Sequence, residues 1–165
     1  MSEHDDHGRL IQATDLGEYF NQAVHRTAER QHVHADQATL HYLVLLLSEH
    51  ARSERLFDYA DQRQCLRPLA LLYGDALAAS GAHERRLWLQ RLGDLALLVG
   101  GLFAGRLSRH FTDLDYCVAM GGNAYGYLGQ NSPGERAQVF GELAAGFKNF
   151  VDLVAVVTGR VDRRQ

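Results

Sequence analysis

The sequence predicts an all-α protein, an irregular bundle of about six helices in a single domain. Apolar residues recur at intervals of three and four along most of the chain, as they do on the buried face of a helix. Capping residues precede several of these segments, and the chain contains only two prolines. With 165 residues, of which 46% are hydrophobic, it can bury one core without disulfides or a structural metal.

The first helix is predicted from about Asp15 to Gln31, where Thr14 or Asp15 can cap the free amides. The polar residues 1–12 predict a flexible N-terminal tail, and residues 13–165 a single helical domain, because no repeat or linker divides them. The apolar or small residues on the predicted inner side of this helix are Leu16, Phe20, Ala23, Val24 and Thr27.

The second helix is predicted from Asp36 to about Arg52 and contains an apolar run at 42–47, so we expect it to be packed on every side. A buried strand is the alternative for this run. The segment spans about 17 residues, whereas strands average about five or six, and this favours the helix. After a short helical turn near 53–62, a third helix would have Pro68 in its first turn and end at Gly81.

The fourth helix is predicted from about His83 to Leu107, with its weak point at Gly100-Gly101, and the fifth from roughly Asp113 to Leu128. The sixth opens with Ser132-Pro133-Gly134-Glu135, the pattern of a capping box with proline at the first helical position. It should form one long spine, with a buried seam of Phe140, Leu143, Phe147, Phe150, Val154 and Val157. We expect helices two, four and six to form the core and helix five to be held against helix four.

The fifth predicted helix has one face almost without side chains, formed by Ala119, Gly122, Gly126 and Gly129. Each helical glycine costs about 0.8–1 kcal/mol relative to alanine, so a close neighbour should offset the loss. The expected neighbour is the fourth helix at its own small residues, Gly93, Gly100 and Ala104. A dimer seam or a ligand cleft is the alternative.

A second face of the fifth helix is polar and is the candidate binding face, formed by Asp113, Tyr116, Met120, Asn123 and Tyr127. Hydroxyl and amide groups of this kind need partners if they are buried. The face could line a pocket for a small polar ligand, bind a protein partner through its tyrosines, or be a solvated edge.

No motif predicts a catalytic residue, a cofactor or a complete metal site. Glu29 and His32 form a single Glu-x-x-His pair, whereas a helical di-iron site needs two such pairs and further carboxylates. The two cysteines, Cys65 and Cys117, form no C-x-x-C pair and are predicted to be buried thiols. The nucleophile-elbow, Walker and dinucleotide patterns do not occur.

The net charge of −3 argues against nucleic acid as a partner, although the arginines at 85, 86, 91, 106 and 109 leave that possibility open. The first residues are acidic and polar, unlike a signal peptide. The most apolar run, 95–104, is about half the roughly 20 residues that a membrane span requires. We therefore expect a cytoplasmic protein without a membrane partner.

Three sequence blocks support a family resemblance: Leu92-Gly-Asp-Leu-Ala-Leu-Leu-Val-Gly-Gly-Leu-Phe, Asp113-Leu-Asp-Tyr and Met120-Gly-Gly-Asn-Ala-Tyr-Gly. This region, around 92–128, resembles the central block of a family of uncharacterised helical proteins from proteobacteria. The resemblance implies a bacterial origin and a shared helical architecture. It brings no established activity, so no catalytic residue is carried over.

These features predict a non-enzymatic interaction or regulatory protein that forms a homodimer, because the sequence supplies surfaces and lacks convergent reactive groups. A protein partner is possible besides self-association. The alternative is a small-molecule-binding protein or metal-dependent helical enzyme, with a site between helices near residues 113–127.

Overall fold

The computed structural model describes the backbone of residues 2–53, 62–103 and 111–163, and the side chains of residues 15–52, 68–103 and 113–159. The described backbone contains seven α-helices and no strand, which confirms the predicted all-α bundle. The helices are α1 (Ser2–Arg30), α2 (Gln37–Ser53), α3 (Gln62–Ala78), α4 (Ala82–Leu102), α5 (Phe111–Asn131), α6 (Glu135–Ala145) and α7 (Phe147–Arg163). The turn expected near 53–62 and the side chain of Cys65 lie outside the described residues.

Helix α1 begins well before the predicted Asp15, and its inner side is the predicted one. Phe20, Ala23, Val24 and Thr27 are buried, and Leu16 packs against the core from a partly buried position. The flexibility of residues 1–12 and the domain boundary after them stay predictions.

Helix α2 packs mainly against α1 and α6, and its Tyr42 also reaches Asp94 of α4. Four residues of its apolar run, Leu43, Val44, Leu46 and Leu47, are buried, but Leu45 is 55% exposed. The prediction that this helix is packed on every side is therefore wrong, because no described helix covers the side that carries Leu45.

The predicted ends of the third and fourth helices also differ from the structure. Helix α3 begins at Gln62, so Pro68 lies inside the helix, where its missing N–H removes one main-chain hydrogen bond. Gly81 does not end α3; it is the N-cap residue of α4, with an extended backbone. Helix α4 ends at Leu102, directly after the Gly100-Gly101 pair.

The predicted sixth helix is two helices, α6 and α7, which meet at Gly146. The expected capping box is also wrong, because the N-cap residue is Gly134 and no side chain caps the helix. Gly134 has a φ of 61°, a left-handed conformation that glycine adopts at little cost. Burial of the whole seam is confirmed for Phe140, Leu143, Phe147, Phe150, Val154 and Val157.

Helix α4 lies at the centre of the bundle and packs against α3, α5 and α7. Helix α5 lies between α4 and α6, so the predicted association of the fourth and fifth helices is confirmed. Nine residues of α4 are buried: Leu89, Leu92, Gly93, Ala96, Leu97, Leu98, Val99, Gly100 and Gly101.

The face of α5 that is poor in side chains does not meet α4 as expected. A Cβ atom at Gly122 would have no neighbour within 4 Å, and one at Gly126 would meet only Ala144, at 3.9 Å. Ala119 is exposed. Gly129 does approach another backbone, 3.0 Å from Gly141, but this backbone belongs to α6. The stripe therefore contacts α6 at one end and is open at Gly122.

Close contacts of small residues occur instead where α4 meets α5 and α7. A Cβ at Gly93 would lie 2.5 Å from the ring of Tyr125, and one at Gly101 would overlap Val154. Gly121, one position from the predicted stripe, leaves room for the ring of Phe147. Side chains, and not a second bare helix, fill the space beside these glycines.

These contacts predict opposite effects for two glycine-to-alanine substitutions. Gly101→Ala should destabilise the fold by about 1–3 kcal/mol, because the new methyl group meets the branched Cβ of Val154. Gly122→Ala should stabilise it by up to about 1 kcal/mol, because alanine favours the helix and nothing opposes it. Urea unfolding of both variants measures the two values. Equal destabilisation by both would contradict the assigned neighbours.

Candidate functional site

An open cleft of about 860 Å³ lies where α1 and α2 face the start of α6. Apolar side chains line part of it, and polar groups of several kinds line the rest. The lining residues are Asn21, His25, Gln37, Ala38, His41, Tyr42, Leu45, Glu135, Arg136, Val139 and Phe140. A cleft of this size and mixed lining is typical of sites that bind small molecules.

The side chain of His25 holds the α1 wall against the start of α2. The His25 Nδ1 atom lies 2.8 Å from the main-chain carbonyl oxygen of Asn21, one helical turn earlier. Its Nε2 atom lies 3.1 Å from Gln37 Oε1 on α2. The imidazole is therefore fixed at the rim of the cleft, where it bridges the two helices.

The opposite wall is tied to α2 by a carboxylate at the helix N-terminus. Glu142 of α6 accepts a hydrogen bond from the main-chain N–H of Asp36 at 3.1 Å and another from the hydroxyl of Thr39. Gln138 of α6 in turn donates to the Asp36 carboxylate. The Glu142 carboxylate thus satisfies the Asp36 N–H and complements the positive end of the α2 dipole.

Behind the cleft, a carboxylate accepts hydrogen bonds from two tyrosines. Tyr42 of α2 donates to Asp94 Oδ1 at 2.6 Å, and Tyr125 of α5 donates to the same oxygen at 2.7 Å. Gln90 Nε2 donates to the Tyr42 hydroxyl oxygen at 3.2 Å. Three helices, α2, α4 and α5, thus meet at one carboxylate oxygen.

Aromatic packing encloses this group of residues. The Phe140 ring lies edge-on to Tyr42, with centroids 5.6 Å apart, and is stacked on Tyr125, with centroids 5.7 Å apart. The absence of a side chain at Gly93 allows the Tyr125 ring to lie against α4 and reach Asp94. The wall of the cleft and the buried network therefore share Tyr42 and Phe140.

Burial dominates the acid–base properties of the network. It raises the pKa of Asp94 from 3.8 to about 6, although the hydrogen bonds from both tyrosines act in the opposite direction. Burial and the nearby Asp94 carboxylate raise the pKa of Tyr42 and of Tyr125 well above 10. Both tyrosines stay protonated at neutral pH and act as hydrogen-bond donors.

Arg136 stands at the mouth of the cleft. Its Nη2 donates to Gln90 Oε1 at 2.8 Å, and its guanidinium carbon lies 5.6 Å from the centre of the Phe140 ring. Gln90 therefore connects the exposed cation to the buried Tyr42 hydroxyl.

The candidate binding face predicted on α5 does not line this cleft. Tyr116 and Asn123 are exposed, whereas Asp113, Met120 and Tyr127 are partly buried. Met120 and Tyr127 pack against the core, and the carbonyl oxygen of Tyr127 accepts a hydrogen bond from Asn131. Whether the face binds anything stays a prediction.

The Glu29 and His32 pair closes helix α1. His32 has a φ of 53°, and its N–H donates to the carbonyl oxygen of Glu29 at 3.3 Å. The Val33 N–H donates to the Ala28 carbonyl oxygen at 2.9 Å, which completes a Schellman motif. Within the described residues, no three His, Cys, Asp or Glu side chains are grouped as metal ligands would be.

A second surface feature lies on α3, outside the cleft. Leu71 and Leu77 are 61% and 64% exposed, and Tyr73 is exposed beside them. The inner side of the same helix is buried at Leu69 and Ala76. Helix α3 is therefore apolar on both its inner and its outer side.

Sequence reasoning did not identify Asp94, Tyr42, Tyr125 or Arg136 as members of a site. One signal was present: Asp94 is the only charged residue within the apolar stretch 92–104. A charge in such a position needs partners, because an unpaired charge is expensive to bury. The identity of those partners depends on which helices pack on α4.

Compared with family models, curated proteins and solved structures, the chain matches none. None of the described helices is both long enough and apolar enough to span a membrane.

The raised pKa of Asp94 predicts a pH-dependent stability. The folded protein binds the Asp94 carboxyl proton more tightly than the unfolded chain does. The stability gained from this proton is therefore fully present below pH 3.8 and is lost as the pH rises through about 6. Between pH 4 and pH 7.5 the wild type should therefore lose up to about 3 kcal/mol of its free energy of unfolding relative to Asp94→Asn, which has no carboxyl group at this position.

Denaturant unfolding of both proteins across this range measures the difference. Asp115→Asn, which changes an exposed aspartate on α5, is the matched control and should leave the difference nearly flat. A flat difference for Asp94→Asn as well would mean that Asp94 ionises as it does in the unfolded chain.

Proposed function

We propose that this protein is a non-enzymatic interaction protein that forms a homodimer through the outer face of α3. The observation that carries the proposal is the exposure of large apolar side chains on this helix, Leu71 and Leu77 above all. The cytoplasmic location, the bacterial origin and the regulatory role expected from the sequence belong to the same proposal.

The outer face of α3 has the composition of a covered surface. It consists of Ala70, Leu71, Gly74, Leu77 and Ala78, all of them exposed. Asp75 is the only charged residue between Pro68 and Ala78. A helical segment that is apolar on most sides, as α3 is from Pro68 to Ala78, is normally covered, and each leucine removed from water contributes about 1.5–3 kcal/mol.

A second copy of the chain fits this face because its sequence is symmetrical about Gly74. Leu71 and Leu77 stand three residues before and after Gly74, and Ala70 and Ala78 stand four residues before and after it. In an antiparallel pair of α3 helices related by a twofold axis at Gly74, Leu71 of one copy would pack against Leu77 of the other. A Cβ at Gly74 has no neighbour within 4 Å in the monomer, so two helices can approach closely there.

The chemistry of the buried network supports the non-enzymatic part of the proposal. The raised pKa values of Tyr42 and Tyr125 disfavour the phenolate forms that a nucleophile or general base would require. Asp94 already accepts hydrogen bonds from both hydroxyls. The two hydroxyls and the carboxylate therefore bind one another and connect α2, α4 and α5.

Sedimentation equilibrium tests the proposed dimer. The wild type should sediment at twice the monomer mass, and a Leu71→Glu, Leu77→Glu double variant should be a folded monomer, because four buried charges would replace the apolar contact. Leu45→Glu changes a similarly exposed leucine away from α3 and should remain dimeric.

Gly74→Leu provides an independent test. The monomer has room for this side chain, so its stability should not fall, but the crossing point of the two helices should be blocked. A wild type that sediments as a monomer would refute self-association. A dimer that survives both α3 changes would refute this interface.

A further inference from the structure

We propose that the cleft between α1, α2 and α6 binds a small aromatic monoanion, whose negative group pairs with Arg136. This site is separate from the proposed dimer face, because none of the residues that line the cleft belongs to α3. The proposal therefore does not depend on self-association.

The dimensions of the cleft select a small molecule. Its volume of about 860 Å³ falls within the range of about 300–1,000 Å³ that is usual for small-molecule sites. It is an open cleft, and its walls come from helices that Glu142 and His25 hold together. A compact or planar ligand can enter without a change in the positions of the helices.

Arg136 selects a negative charge. Its side chain is held by Gln90 and by the Phe140 ring. Its positive charge also acts on the carboxyl group of Asp94 behind the cleft, where it opposes the rise in pKa. A guanidinium carries five N–H donors in a fork that matches a carboxylate or sulfonate. Because one nitrogen is occupied by Gln90, the others can bind an anion with little loss of side-chain freedom.

The remaining lining selects an aromatic body. Tyr42 is only partly buried and contributes a ring against which a flat ligand can pack. The Phe140 ring is buried behind it and supports Tyr42 edge-on. Leu45, which is 55% exposed, adds aliphatic surface that such a ligand would cover. Apolar contact of this kind supplies affinity, while the polar groups fix the orientation.

Glu135 limits the ligand to a single negative charge. Glu135 lines the same cleft as Arg136, so a second anionic group on the ligand would meet repulsion from its negative charge. A polyanion such as a nucleotide or an inositol phosphate is therefore disfavoured.

Two fluorescent probes that differ only in charge test this site. The first is 1-anilinonaphthalene-8-sulfonate, an aromatic monoanion, and the second is N-phenyl-1-naphthylamine, the same ring system without the sulfonate. Titrations use the Leu71→Glu, Leu77→Glu background, so that the apolar face of α3 cannot contribute. Circular dichroism confirms that each variant is folded.

Arg136→Gln should weaken binding of the anionic probe by about tenfold or more and change binding of the neutral probe by no more than about twofold. Arg136→Lys keeps the charge without the fork and should give a smaller loss for the anionic probe. Ala38→Phe narrows the cleft and should weaken both probes.

An equal loss of affinity for both probes in Arg136→Gln would overturn the assigned role of Arg136. Anionic binding that survives both Arg136→Gln and Ala38→Phe would place the probe outside this cleft and overturn the site itself. If the Arg136→Gln variant fails to fold, Arg136→Lys is compared with the parent protein instead. An unchanged ratio of the affinities for the anionic and the neutral probe would then contradict the proposal. None of these results changes the sedimentation of the otherwise unaltered chain, so the two proposals can fail separately.

Discussion

The Asp94 carboxylate is the constraint on which the surrounding architecture depends. A carboxylate in the central helix of a bundle requires hydrogen-bond donors, and here a tyrosine from α2 and a tyrosine from α5 provide them. Tyr125 can reach Asp94 only because the preceding residue on α4 is Gly93, which leaves space for the ring. The directional hydrogen bonds therefore fix the positions of α2 and α5 on α4, which apolar packing alone would leave less specific.

The position of α2 has consequences at the molecular surface. Because Tyr42 points inward to Asp94, the adjacent residues His41 and Leu45 lie on the side that opens to the cleft. Helix α6 approaches the same helix at its N-terminus, where Glu142 accepts hydrogen bonds from the Asp36 N–H and the Thr39 hydroxyl. The cleft is the space that remains between these two attachments. Helix α3 packs mainly on α4, and the outer face of its described part, which carries Leu71 and Leu77, is exposed.

Much of the fold follows from the sequence pattern, and the errors share a physical origin. The periodic seam from Phe140 to Val157 is buried as predicted, yet the helix that carries it is interrupted at Gly146. Spacing indicates which residues turn inward but not whether the helix axis continues. The bare stripe of α5 was assigned to α4, whereas Gly129 meets α6 and Gly122 meets nothing. The absence of a side chain permits a close approach without specifying the neighbour.

The sequence by itself determined the all-α class, the inner faces of the helices and the apolar surroundings of Asp94, because these depend on local periodicity and composition. Only the tertiary structure decided that Tyr42, Asp94 and Tyr125 meet, and that Arg136 stands at the mouth of a cleft. In the sequence, Asp94 is 52 residues from Tyr42 and 31 residues from Tyr125. Contacts between such distant residues depend on how the helices pack on one another. Packing geometry is a property of the whole bundle, so no single segment encodes it.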